Sequence, residues 1–204
     1  FGDALRPGNL YDYFLQRQEK GVLEAREILI AILKGMGEIW PDGTWVDSIA
    51  IGDAAYHEAV KRSDITDRIV PFHKLSQWMS YSLIEPLQLA GMKIIHLDAL
   101  TGLAEYRNGG LFIDTGTISL RDKTEIETLH DPKSPLIVEW RALTVTLLDQ
   151  LAEQIRQHTN TNSESMPLVS ILQGGTWSAG RRIAQRLRSD ASPPLRLKSR
   201  GTIF

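Results

Sequence analysis

The stretch Ser134-Pro135-Leu136-Ile137-Val138-Glu139-Trp140-Arg141-Ala142-Leu143, continuing to Gln157, decides the fold class. Ser134 can cap a helix, and Pro135 suits the first helical turn, where its missing N–H costs nothing. Behind them Trp140, Leu143, Leu147, Leu151 and Ile155 recur at gaps of 3, 4, 4 and 4. That is the period of an amphipathic helix, so a helix is expected over 136–157 with this stripe toward the core.

Working outward, Pro71 opens a second helix whose Phe72, Leu75, Met79 and Leu83 give an apolar stripe, with Pro86 kinking it or starting a new turn and Gly91 ending it. Further helices are expected from Asn9 to about Glu19 and from Val22 to Ile39, the latter stopped by Trp40-Pro41-Asp42-Gly43. Gly52-Asp53-Ala54-Ala55-Tyr56-His57 reads as a short helix start. Lys93-Ile94-Ile95 and the alternating segment Leu111 to Leu120 read as strands. Two short helices, 167–172 and 176–188, flank Gly174-Gly175, and Leu195-Arg196-Leu197 with Thr202-Ile203-Phe204 reads as a β-hairpin. The fold class is mainly α with minor β, in a single helical domain over 1–204.

A chain of 204 residues can bury a sizeable core. Its net charge of −2 gives no general field for polyanions, so neither nucleic acid nor an anionic membrane is an expected partner. The absence of cysteine excludes disulfides, thiolate metal sites, iron–sulfur clusters and a thiol nucleophile, and it suits a reducing cytoplasmic setting. No apolar run reaches the ~18–20 residues that span a bilayer. The opening segment Phe1-Gly2-Asp3-Ala4-Leu5-Arg6-Pro7-Gly8 reads as a connector already in progress, so the chain is expected to be the C-terminal part of a longer protein.

Four groupings could carry chemistry. Lys74, Gln77, Tyr81 and Glu85 share one helix face, with Trp78 beside them, a solvated face or a wall that grips a flat polar ligand. Glu105-Tyr106-Arg107-Asn108-Gly109-Gly110 reads as a tight loop before a strand, able to hold Glu105 and Arg107 in a cleft. Glu139 and Arg141 open the long helix, Glu139 being expected partly buried and in need of a partner. Gly174-Gly175 leads into a helix bearing Arg181 and Arg182, where an anion could sit. None of the five histidines pairs at a metal-binding spacing; His73, His96 and Asp98 are the one combination that could gather in space. Neither a metal nor a cofactor is expected.

Several segments together resemble the uracil catabolism protein 4 family: Arg6-Pro7-Gly8-Asn9-Leu10, Val70 to Trp78, Leu100-Thr101-Gly102-Leu103, Glu105 to Gly110, Val138 to Leu143, Gly174 to Trp177 and Gly201-Thr202-Ile203-Phe204. The resemblance implies a role in a reductase-independent route of uracil use and a further N-terminal half. A second resemblance is to queuosine salvage proteins, helical nucleotide hydrolases whose fold is similar to DNA glycosylases. It rests on Lys74-Leu75-Ser76-Gln77, Glu105-Tyr106-Arg107 and Glu139-Trp140-Arg141 in that order. This chain departs from that group at Glu105, where it has Asp, and at Asn108-Gly109, where it has a Val-Pro type continuation.

These resemblances imply hydrolysis of the N-glycosidic bond of a ribosylated pyrimidine or of a ribosyl-urea intermediate. The substrate is then a small pyrimidine nucleoside, nucleotide or ribosyl-urea, and the missing N-terminal half is a second partner. Glu105, with Asp98 in reserve, is the expected catalytic carboxylate and Lys74 its partner or a proton donor. Gln77, Trp78, Tyr81, Tyr106, Arg107, Asn108, Glu139, Arg141 and Arg181 are expected to bind substrate. The alternatives are a non-catalytic ligand-binding or scaffold protein, and a metal-assisted amide hydrolase using His73, His96 and Asp98.

Overall fold

The computed structural model describes Arg6, residues 8–40 and residues 42–198. The expected connector at the start lies largely outside the described residues, as do Pro41 of the expected turn and the hairpin arm Thr202-Ile203-Phe204.

The architecture is mainly α, with short two-stranded ribbons. Seven α-helices are described: α1 Gly8–Arg17, α2 Ala25–Met36, α3 Lys74–Leu89, α4 Tyr106–Asp114, α5 Pro135–Thr159, α6 Leu168–Ile171 and α7 Trp177–Leu187. The strands are β1 Val22–Glu24, β2 Thr44–Val46, β3 Ile49–Gly52, β4 Ala54–Tyr56, β5 Ile69–Pro71, β6 Lys93–Ile95, β7 Leu129–His130 and β8 Arg196–Leu197. β1 pairs with β6 and β7 with β8 in parallel, while β2–β3 and β4–β5 are antiparallel. The β2–β3 turn holds Asp47 and Ser48 at φ 45° and 67°, the positive pair that a tight hairpin turn requires.

The long helix α5 forms where its sequence predicts, but its buried side is turned. Ile137, Val138, Trp140, Arg141, Thr144, Leu148 and Ala152 are buried, whereas Leu143 is 46% exposed. The main core gathers Phe14, Leu23, Ile28, Ile32, Tyr81, Ile84, Leu87, Leu100, Phe112, Leu148 and Leu172 from α1, α2, α3, α4 and α5 and the segments between them. A satellite core of Ile137, Trp140 and Leu195 lies toward the start of α5.

Other expectations are corrected. The expected helix start at 52–57 is extended instead, Gly52 ending β3 and Ala54–Tyr56 forming β4 on either side of Asp53, and 22–24 form β1 before α2 begins. The expected strands at 111–120 do not form: 111–114 complete α4 and 115–120 are irregular, because Gly109 and Gly110 serve close helix packing and not a turn. A Cβ at Gly109 would fall 2.7 Å from Thr144 Oγ1 and 2.9 Å from the Trp140 ring of α5. On the other side a Cβ at Gly180 of α7 would fall 2.0 Å from the Arg107 carbonyl oxygen. The two glycines thus let α4 sit clamped between α5 and α7. The segment expected as two helices around Gly174-Gly175 is continuous, with a π-helical stretch Leu172–Thr176 joining α6 to α7. The first arm of the expected C-terminal hairpin is β8, which pairs in parallel with β7.

Candidate functional site

Two buried carboxylates organise the ground around Lys74. The first is Asp53, between β3 and β4. Its backbone carbonyl accepts from Phe72 N (3.0 Å) and His73 N (2.9 Å), and its Oδ2 accepts from Lys74 N at 3.0 Å. Asp53 therefore caps α3 from a distance of 21 residues, where a negative charge meets the positive end of the helix dipole. The same carboxylate grips Arg141 of α5 through two bonds, of 2.8 and 2.7 Å. Arg141 lies 4.0 Å over the Phe72 ring and donates through Nε to Ala104 O at 3.3 Å. A fully buried guanidinium is thus matched by a carboxylate, a carbonyl and an aromatic face.

The second carboxylate is Glu105, 9% exposed, which caps α4. Its Oε2 accepts from Arg107 N at 2.8 Å and its Oε1 accepts from Asn108 N. Burial pushes its carboxyl above the ordinary range, against the pull of those two N–H donors and of Lys74 and Arg107. Lys74 itself is 7% exposed. Burial lowers its amine to about 8, helped by the nearby Arg141 charge and opposed by Asp53 and Glu105. Among the described residues the Lys74 amine makes no hydrogen bond and no ion pair within 4 Å. The cation and the Glu105 carboxylate feel each other without touching.

α3 carries this site on the side expected to face away from the core. Lys74, Gln77 and Tyr81 are buried together with Ser76 and Ser80, while Leu75, Met79 and Leu83 are only half-buried and Trp78 is 57% exposed. The polar side can be buried because the segment from Thr101 to Glu105 runs along it. Gln77 Oε1 accepts from Thr101 N at 3.2 Å, and Tyr81 donates to Thr101 O at 3.1 Å. Burial, and the charge of Asp149 on α5, push the Tyr81 phenol up.

The structure thus brings together Lys74, Gln77, Tyr81 and Glu105, with Trp78 at the rim. It puts other expected site residues to different use. Asn108 is fully buried, donating to Leu103 O at 3.2 Å and accepting from Thr176 at 2.8 Å. Arg107 donates to Ala191 O at 2.7 Å and lies 4.8 Å over the Tyr106 ring, and Tyr106 packs on the satellite core. Asp98 and Arg181 are exposed, Arg181 lying 5.7 Å over Trp177. Glu139, expected partly buried, has a side chain 60% exposed and stands 3.3 Å from His57 Nε2. It lies two residues from Arg141, and so on nearly the opposite side of α5.

Sequence reasoning missed Asp53 as a member of the site, and named His73 only as a possible metal ligand. Asp53 was hidden in an expected helix start, and its partners lie 21 and 88 residues away. His73 holds a left-handed backbone, φ 50°, directly before Lys74. Among the described residues its Nδ1 is buried without a hydrogen-bond partner, and burial lowers its pKa. A strained backbone and an unmatched polar atom beside a charged site are features that functional regions keep. The alternative metal trio is not assembled: His96 pairs with Glu24 at 2.7 Å, and the described residues hold no group of three His, Asp or Glu able to bind a metal. Among the described residues, no helix is long and apolar enough to cross a membrane.

The chain belongs to the family described as protein of unknown function, DUF1688, whose model matches residues 1–204. It is 43% identical over 169 residues to Protein urg3 of Schizosaccharomyces pombe (strain 972 / ATCC 24843), which covers 81% of this chain and 41% of that protein. It is 37% identical over 232 residues to Uracil catabolism protein 4 of Lachancea kluyveri, covering 100% of this chain and 52% of that protein. The family resemblance read from the sequence is borne out. The chain spans about half the length of the curated relatives it matches. No solved structure matches it.

Proposed function

We propose that this DUF1688 chain serves uracil catabolism, as part of an enzyme that hydrolyses the N-glycosidic bond of a ribosylated pyrimidine or of its ring-opened ribosyl-urea derivative. The names of its two relatives, Uracil catabolism protein 4 and Protein urg3, support the pathway. The observation that supports the chemistry is a buried lysine amine and a buried carboxylate held near each other but apart, each pushed by burial toward its neutral form.

In this reading the bond from the sugar C1′ to nitrogen breaks as positive charge grows on the sugar. The Glu105 carboxylate opposes that charge and takes a proton from the water whose oxygen joins C1′. The Lys74 ammonium gives its proton to the departing nitrogen, a task suited to a group that titrates near pH 8. Gln77 Nε2, which donates no hydrogen bond among the described residues, is free to donate to a carbonyl of the base or urea. The exposed Trp78 ring offers a stacking face. Arg181, exposed on α7, is the candidate to anchor a 5′-phosphate, Arg107 being committed to Ala191 O and the Tyr106 ring. Asp53 and Arg141 hold α3 and α5 so that Lys74 is fixed.

A second reading is a ligand-binding protein without turnover. It is favoured by the engagement of both Glu105 oxygens in capping α4. One assay separates the two: the full-length protein is offered uridine, uridine monophosphate and ribosyl-urea, free and phosphorylated, with products read by mass spectrometry. Release of base or urea by wild type, and not by Glu105→Gln, is the expected result. Saturable binding with no release from any compound moves the assignment to the second reading.

A further inference from the structure

A cavity of about 380 Å³ opens on the far side of α5 from Arg141. Its lining comes from the last turn of α4 (Ile113), the segment from Ile118 to Glu125, and the first turns of α5 (Leu136, Glu139, Trp140 and Leu143). The volume falls in the range of about 300–1,000 Å³ in which small-molecule sites occur. We propose that this cavity is a second binding site, for a small amphipathic cation: an apolar ring or short chain bearing a protonated amine. The proposal does not rest on the hydrolase reading.

The floor argues for the apolar part. Ile113, Ile118 and Leu120 pack on the satellite core built on Trp140, and that core leaves Leu143 46% exposed at the cavity's edge. The Trp140 indole nitrogen is committed to Gly109 O at 3.0 Å and the residue is 2% exposed, so it backs the floor without offering the space a donor. A flat apolar group gains most by covering such a floor.

The rim argues for the charge. Asp122, Glu125 and Glu139 stand around the mouth against Arg121, leaving a formal excess of two negative charges. Asp122 is held ionised by Thr124, whose N–H and hydroxyl both donate to its Oδ1. Among the described residues, Glu125 and Glu139 each have a histidine as their one ion-pair neighbour, at 3.6 and 3.3 Å. An anionic ligand would meet three carboxylates here, and an uncharged one would leave them unanswered. A cation with an apolar body satisfies both floor and rim.

The test uses phenethylamine and its uncharged analogue 2-phenylethanol, with binding read by calorimetry and by methyl NMR of Ile and Leu. The expected result is saturable phenethylamine binding, with shifts centred on Ile113, Ile118, Leu136 and Leu143. Glu139→Gln, at an exposed position, should weaken the amine about two- to five-fold and leave 2-phenylethanol unchanged. Lys74→Met should leave amine binding intact while altering any hydrolysis, which keeps the two sites distinguishable. Equal binding of amine and alcohol, shifts centred elsewhere, or no saturable binding would overturn the proposal.

Discussion

Asp53 and Glu105 are two buried carboxylates with the same local task, each capping a helix, and each near a cation from another element. Asp53 meets Arg141 through two short bonds, with Phe72 and the Ala104 carbonyl completing the guanidinium's surroundings. Glu105 faces Lys74 across a gap wider than an ion pair. The first pair recovers by contact what burial costs it. The second does not, and the unrecovered cost remains as an amine lowered to about 8 and a raised carboxyl. A closed pair holds elements together; an open pair is available to a ligand that brings its own charge distribution.

The contrast breaks or sharpens first at Arg141. Arg141→Ala removes one partner of a closed buried pair and leaves Asp53 charged and unanswered, so a loss of about 3–5 kcal/mol is expected in urea denaturation. A loss within ordinary surface scatter would mean that water answers Asp53 and that the pair is not closed. Lys74→Met should act in the opposite direction. It replaces a strained buried amine with an apolar side chain of similar length, so the variant is expected to be more stable at pH 7 by about 1–3 kcal/mol, while turnover is lost. Destabilisation by Lys74→Met would make Lys74–Glu105 a second structural bridge and remove the contrast.

The sequence revealed the elements better than the faces. α5 was legible because Ser134-Pro135 and the 3-4-4-4 spacing are local signals. Its true buried side was not, because Arg141 and Thr144 go inward to meet Asp53 and α4, and no spacing rule reports a partner 88 residues away. On α3 the same effect turned the reading over: Lys74, Gln77, Ser76 and Ser80 are interior because Thr101, Asp53 and Glu105 arrive to meet them. α4 was read as strand because its glycines look like turn residues until Trp140 and α7 are seen against them. Of the candidate site, the grouping of Lys74, Gln77, Tyr81 and Glu105 was legible; Asp53, the place of His73 beside Lys74 rather than in a metal trio, and the outward turn of Glu139 were not.

Glu105 gives a smaller stability effect than either. Glu105→Ala removes the cap of α4 and should cost about 0.5–2 kcal/mol, whereas Glu105→Gln keeps an oxygen for the cap and should cost less. Both variants should lose turnover. If Glu105→Gln keeps the wild-type rate, the carboxylate is a cap and nothing more.

The gentlest probe is pH, because a single group changes stability by at most about 1.4 kcal/mol per pH unit. The Lys74 amine titrates at about 8 when folded and at 10.5 when free. Between those values the unfolded chain binds more protons, so stability should rise with pH, and below about 8 this contribution is flat. Glu105 acts at the acid end: its folded value is raised above 4.5, so the unfolded chain binds fewer protons there and stability falls as pH climbs through that window. Subtracting the Lys74→Met curve from the wild-type curve isolates the first effect. A difference that climbs between pH 8 and 10.5 identifies an amine buried without a contact partner. A flat difference would mean that Lys74 is as well answered as Arg141, and the open pair would have to be sought elsewhere.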